Sequence, residues 1–120
     1  MKIAFSTSGN DLNAPLDTRF GRAAKFLIYD DEAQSVALVD NTQNLTAAQG
    51  AGIQSAQNVA ASGAQALVSG HCGPKAFRVL SAAGIKAYTS NAATVAEALA
   101  QFQDGALTEL KAADVEGHWA

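Results

Sequence analysis

The chain has 120 residues, 48% of them apolar and 16% charged, which suits one packed domain over 1–120 and excludes a solvated, disordered polymer. Its formal charge of -3 excludes the broadly basic face of a general nucleic-acid binder and leaves room only for a local cationic pocket. A single cysteine, Cys72, excludes an internal disulfide framework and any all-cysteine zinc or iron–sulfur centre within one chain.

No apolar run reaches the length of a membrane span, and the opening Met1-Lys2-Ile3-Ala4-Phe5 meets polar Ser6 too soon for a signal peptide. The expected setting is a reducing cytoplasm. Lys2 to Thr7 (KIAFST) reads as a short buried strand, followed by a turn-forming stretch up to Pro15. Lys25 to Asp31 and Ser35 to Asp40 read as two strands at hairpin spacing. A polar loop from Asn41 precedes a helix over about 52–62, where Ile53, Ala56, Val59 and Ala60 recur at helical spacing and Gly63 stops it. Ala66 to Ser69 is a fourth strand. Pro74 opens a second helix reaching Ala83, with Phe77 and Leu80 on one face and Gly84 at its end. Ile85 to Thr89 is a fifth strand, and Thr94 to Gln103 a third helix with capping-box spacing between Thr94 and Glu97. Residues 105–120 read as a tail whose Leu107, Leu110 and Trp119 dock on the body.

The order β-β-β-α-β-α-β-α predicts an α/β fold. Helical crossovers make the first, fourth and fifth strands parallel, and the hairpin fills the other edge. A five-stranded mixed sheet of order 3-2-1-4-5 follows, with strand two antiparallel and helices on both faces. Its crevice lies at the carboxyl ends of strands one and four, the usual ligand position in open α/β sheets.

Three segments converge on that crevice: Thr7 to Asn13 with its extension Asp17 to Arg22, Ser69 to Lys75, and Ser90 to Ala92. In the second, Gly70-His71-Cys72-Gly73 runs from a strand into a helix opened by Pro74, so free amides and the positive helix end favour an anion, with Lys75 adding charge. Cys72 beside that end is expected as a stabilised thiolate able to meet a soft metal, and His71 as a second ligand or a hydrogen-bond donor. The plainer alternative is a glycine-lined turn holding a buried cysteine. In the first segment, Arg19 and Arg22 flank Phe20 and Gly21. Arginine's fixed donors suit multivalent oxo- or thio-anions, against the alternative of a surface pair with Arg19 bridged to Asp17.

Two other patterns compete. His71-Cys72 and Arg78 spell H-C-x5-R, the pattern of cysteine-dependent phosphatases. Pro74, however, starts a helix two residues after Cys72 and carries Arg78 away from any phosphate, and no aspartate loop supplies a general acid. Gly50-Ala51-Gly52 resembles the start of a dinucleotide fingerprint but follows no strand and lacks the third glycine. A nucleotide- or oxyanion-binding regulatory module without metal stays open.

The segments KIAFST, DTRFGRAAKFLIYD, GHCGPKAFRVL and AGIKAY together resemble the dinitrogenase iron–molybdenum cofactor biosynthesis family, over roughly 1–102. The resemblance implies a ribonuclease H-like α/β layer and a carrier, without turnover, for an anionic metal–sulfur cluster. That cluster would be a molybdenum–copper sulfide or another molybdenum or iron–sulfur species such as an iron–molybdenum cofactor precursor. It implies a partner protein that donates or accepts the cluster, while the charge and the lack of a long apolar run predict neither nucleic acid nor membrane as partner. Carried over by residue, Arg19, Arg22, His71, Cys72 and Lys75 line the cluster pocket; Phe20 as an apolar wall and the turn glycines Gly70 and Gly73 complete the candidate site, with His71 and Cys72 as candidate metal ligands.

Overall fold

Side-chain alternation along the first strand sets the layers. In β1 (Lys2–Thr7), Ile3 and Phe5 join one buried cluster and Ala4 the other, as a period of two requires. The structure is a computed structural model that describes residues 1–42, 51–70 and 72–110. The hairpin strands are β2 (Lys25–Asp30) and β3 (Ser35–Asp40), paired antiparallel in register from Lys25 with Asp40 to Asp30 with Ser35. Their turn is one residue longer than the sequence indicates. Gln34 closes it at a φ of 52°, and Asp30 Oδ1 accepts from the amides of Glu32 and Ala33.

The first helix, α1 (Ala51–Ala61), and the second, α2 (Pro74–Ala82), lie against one face of the sheet. Ala56, Val59, Ala76 and Leu80 pack there with Ala4, Phe26, Ile28 and Leu67. The third, α3 (Val95–Gln103), covers the other face, where Val95, Ala98 and Leu99 meet Ile3, Phe5, Leu27 and Val68. Between them run β4 (Ala66–Ser69) and β5 (Lys86–Thr89), both parallel to β1's direction. β5 starts one residue later than expected, with buried Ile85 just ahead of it.

The expected strand order holds, and β2 is antiparallel to β1. The sheet has six strands, however, not five. Thr108–Glu109 forms β6, antiparallel to β5, giving the order β3-β2-β1-β4-β5-β6. Residues 105–110 are therefore not simply a docking tail. Leu107 packs on the α3 side and Leu110 on the α1–α2 side, so the strand is held from both faces. Two paired residues carry too little pattern to announce a strand from sequence. Trp119 and His118 lie outside the described residues.

The opposite edge is β3, whose residues are largely exposed; Val36 and Leu38 are 41% and 44% exposed. They stand opposite Tyr29 and Leu27 in the pairing with β2, on the α3 side of the sheet.

Candidate functional site

The crevice is assembled by close backbone contacts. A Cβ on Gly70 would lie 2.3–2.5 Å from Thr18 Cβ, carbonyl oxygen and Cα, so only glycine lets the turn after β4 press against the 17–22 segment. Ser6 reinforces the contact. Its hydroxyl donates to the Asp17 carbonyl at 2.6 Å and lies 2.8 Å from Ser69 Oγ. Farther along, a Cβ on Gly21 would sit 3.2 Å from Gly52 N and Cα, and one on Gly52 would meet Ala76 Cβ at 3.4 Å. A single 3₁₀ turn (Phe20–Arg22) is thus packed beside α1, and α1 beside the start of α2.

A buried polar hub holds that turn. Asn41, fully buried, donates through Nδ2 to the Ala23 carbonyl at 2.8 Å and to Ser55 Oγ at 3.0 Å, while its Oδ1 accepts from Asn58 at 2.7 Å. Ser55 Oγ donates to the Gly21 carbonyl at 3.3 Å. The carbonyls on either side of Arg22 are therefore tied to α1 and the end of β3. Sequence reasoning assigned Asn41 to a polar loop. Its place at the end of an apolar strand was the available signal, since a fully buried amide must find partners.

The helix amino ends differ. At α3, Thr94 Oγ1 accepts from Glu97 N–H at 3.2 Å, as its capping-box spacing predicts. The carbonyls of Ala14 and Leu12 take the N–H groups of Val95 and Ala96 at 2.9 and 2.7 Å. Loop 8–16 thereby closes that helix end. At α2, Gly73 is the N-cap, with no side-chain cap, and no atom stands within 4 Å of where its Cβ would be. Pro74 has no N–H, and those of Lys75 and Ala76 have no partner among the described residues. This end of α2 keeps its positive partial charge available, with Lys75 exposed on its first turn.

The predicted site residues divide. Gly70 and Gly73 are where the sequence put them, in the turn from β4 to α2, and Arg22 is half-buried at the end of the 3₁₀ turn. Arg19 is exposed and held by Asp17, Nε to Oδ1 and Nη2 to Oδ2, each at 3.2 Å. Those hydrogen bonds, with the charge attraction, raise its guanidinium above the usual value. The plainer alternative for Arg19 is thus what the structure contains. Phe20 is no exposed wall: it is 2% exposed and stacks at a tilt on Phe26, centroids 5.3 Å apart.

The expected Cys72 thiolate is corrected too. Cys72 is 2% exposed within the α1–α2 core, its thiol donates to the Gly73 carbonyl at 3.7 Å, and burial pushes it up to about 12. Desolvation outweighs the helix end, so the thiol stays protonated at neutral pH. Arg78 is exposed in the second turn of α2, past the helix start that separates it from Cys72. His71 lies outside the described residues. Among those described, no group of three or more His, Cys, Asp or Glu is placed to hold a metal ion.

The third segment, Ser90 to Ala92, borders a separate open groove of about 410 Å³ on the α3 side of Gly70. No helix among the described residues is long and apolar enough to cross a membrane.

Comparison with known proteins follows the same geometry. The family model described as "Dinitrogenase iron-molybdenum cofactor" matches residues 1–105. The structure of the apo form of the orange protein from Desulfovibrio gigas superposes with a TM-score of 0.87 at 42% identity, covering 91% of this chain and 92% of that one. A putative NifB protein from Thermotoga superposes with a TM-score of 0.80 at 38% identity, over 91% and 92% of the two chains. An uncharacterized protein of Methanocaldococcus jannaschii is 31% identical over 114 residues, 92% of each chain. The crevice described above is therefore carried by a chain that belongs to the dinitrogenase iron–molybdenum cofactor family.

Proposed function

We propose that this protein is a non-catalytic carrier of an anionic metal–sulfur cluster containing molybdenum, either a molybdenum–copper sulfide or a precursor of an iron–molybdenum cofactor. The observation that carries the proposal is the open first turn of α2, whose Lys75 and Ala76 amides have no partner among the described residues, with the arginine-bearing 3₁₀ turn packed on the same Gly52 of α1. Family membership supports a cofactor-related role, and the apo orange protein supports the carrier branch. The strand order supports reading the sheet as a ribonuclease H-like layer.

In this reading the cluster is cargo. It already bears its own sulfides, so it needs charge complementarity and donors more than protein ligands. The α2 amides and Lys75 meet the anion from one side, and Arg22 from the other. Arg19 joins by sharing its guanidinium with Asp17 or leaving it, at small cost because an exposed pair contributes little. Gly70 and Gly73 let the cargo approach the backbone, and Phe20 supports Arg22 from the core. Cys72 packs beneath the turn, with no ligand role for its protonated thiol; His71 is the residue of this turn left as a candidate metal ligand. Delivery requires a donor or acceptor protein, and the setting is cytoplasmic.

The cysteine-phosphatase alternative loses its support, because it requires an exposed, ionised Cys72 and an unwound loop reaching Arg78.

The test adds tetrathiomolybdate and copper to metal-free protein. A stoichiometric coloured complex, with visible absorption beyond that of the free reagents, is the expected result. Replacing both Arg22 and Lys75 by Ala weakens it by about tenfold or more, the scale of losing charge-assisted hydrogen bonds. Absorption no greater than that of the reagents, or an unaffected double variant, overturns the proposal.

A further inference from the structure

The groove on the α3 side of Gly70 has no part in the cargo reading. Among its lining residues are Gly70, Thr89, Asn91, Gln101, Leu107 and Thr108, and none of the described residues lining it is charged. It opens beside the last turn of α3, the negative end of that helix's dipole, and Asp104 follows directly. An anion is disfavoured there, in contrast to the start of α2.

The groove does have oriented hydrogen-bonding groups. Ser90, 7% exposed, accepts from the Ala92 amide at 3.0 Å and donates to Gln101 Oε1 at 2.7 Å. This relay turns the Gln101 carbonyl oxygen toward Ser90 and leaves both Nε2 hydrogens without a partner among the described residues. Because the Ser90 hydroxyl is itself a hydrogen-bond acceptor, its donation polarises the amide further. The Asn91 side-chain amide, the backbone N–H groups of Gly70 and Asn91, and the Thr89 and Thr108 hydroxyls are likewise unpartnered among the described residues. Leu107 adds an apolar surface.

We infer that this groove binds a flat, uncharged molecule with a hydrogen-bonding edge, the chemistry of a nucleoside. The Asn91 amide offers a donor and an acceptor and Gln101 Nε2 adds donors, the kinds of group that match the edge of a base, and an apolar wall suits its face. A volume of about 410 Å³ lies within the usual range of small-molecule sites. The threonine hydroxyls suit sugar oxygens.

The experiment is an amide NMR titration of the full, metal-free chain with adenosine, with inorganic phosphate as the charge control. Adenosine shifts the Gln101 side-chain NH₂ and the Asn91 and Thr108 amides, and phosphate does not. Gln101→Leu, half-buried and outside the core clusters, weakens adenosine binding about tenfold, as loss of an oriented donor does. An Asn91→Ala variant gives a second reading if the first melts early. Unmoved signals, equal binding by both variants, or an equal response to phosphate overturn the inference. No metal is present, so its failure leaves the cargo reading unaffected.

Discussion

Gly70 shows how much a single hydrogen atom can decide. With Thr18 backbone atoms 2.4–2.5 Å from where a Cβ would be, Gly70→Ala pushes the 17–22 segment off the turn after β4. The expected cost is about 1–3 kcal/mol in denaturant unfolding, the scale of overpacking, together with weakened cluster uptake. Gly73→Ala meets no neighbour and leaves stability nearly unchanged. Cys72 gives a prediction of definite sign. Its thiol is raised in the folded state from an ordinary 9.0 to about 12, so the unfolded chain releases that proton first. The stabilisation is complete below about pH 9 and is lost as pH rises toward 12, by up to ~1.4 kcal/mol per pH unit. Cys72→Ala removes that part of the alkaline slope. The native thiol also resists a disulfide reagent at neutral pH and reacts once the chain is unfolded. These residues differ in legibility. The glycine-lined turn after β4 was legible, but not that Gly70 meets Thr18 while Gly73 meets nothing, since that depends on where the 17–22 segment packs. The state of Cys72 was not, because the same turn predicts a thiolate if exposed and an inert thiol if buried, and only packing decides between them.

Among the elements, the 3₁₀ turn depends most on something outside its own sequence. Its flanking carbonyls bond to Asn41 and Ser55, whose partners come from the end of β3 and from α1. Asn41→Ala removes one amide and strands several buried groups. We expect a loss of about 2–4 kcal/mol in thermal or denaturant unfolding, from roughly 1–3 kcal/mol per orphaned group. A surface change such as Asp104→Ala stays within about 0.5 kcal/mol. Strands β1 to β5 and all three helices were legible because period, proline, glycine and the Thr94 cap agree locally. β6 was not, since a two-residue strand is defined by its neighbour, β5, and not by its own pattern. The open end of α2 was legible as a helix start. That α3's end is closed by the Ala14 and Leu12 carbonyls was not, because those partners come from a loop about eighty residues earlier in the sequence.

At the scale of the whole molecule, the topology places charge and neutrality on opposite sides of one glycine. The α1–α2 face carries the arginine turn and the open helix end, and the α3 face carries the uncharged groove. The strand order was legible from the sequence. The uncharged groove was not, because one of its walls comes from Thr108 of β6. The sheet also finishes unequally. On the β6 side the margin is only two residues long and is pinned from both faces by leucines. On the β3 side a six-residue margin offers peptide groups unpaired among the described residues, with Val36 and Leu38 in view and no lysine in the strand to repel a visitor. Concentrated stocks should therefore slowly cloud through strand-to-strand stacking at that rim. Val36→Lys, checked by light scattering over days, should keep them clear without altering the melting temperature by more than a few degrees.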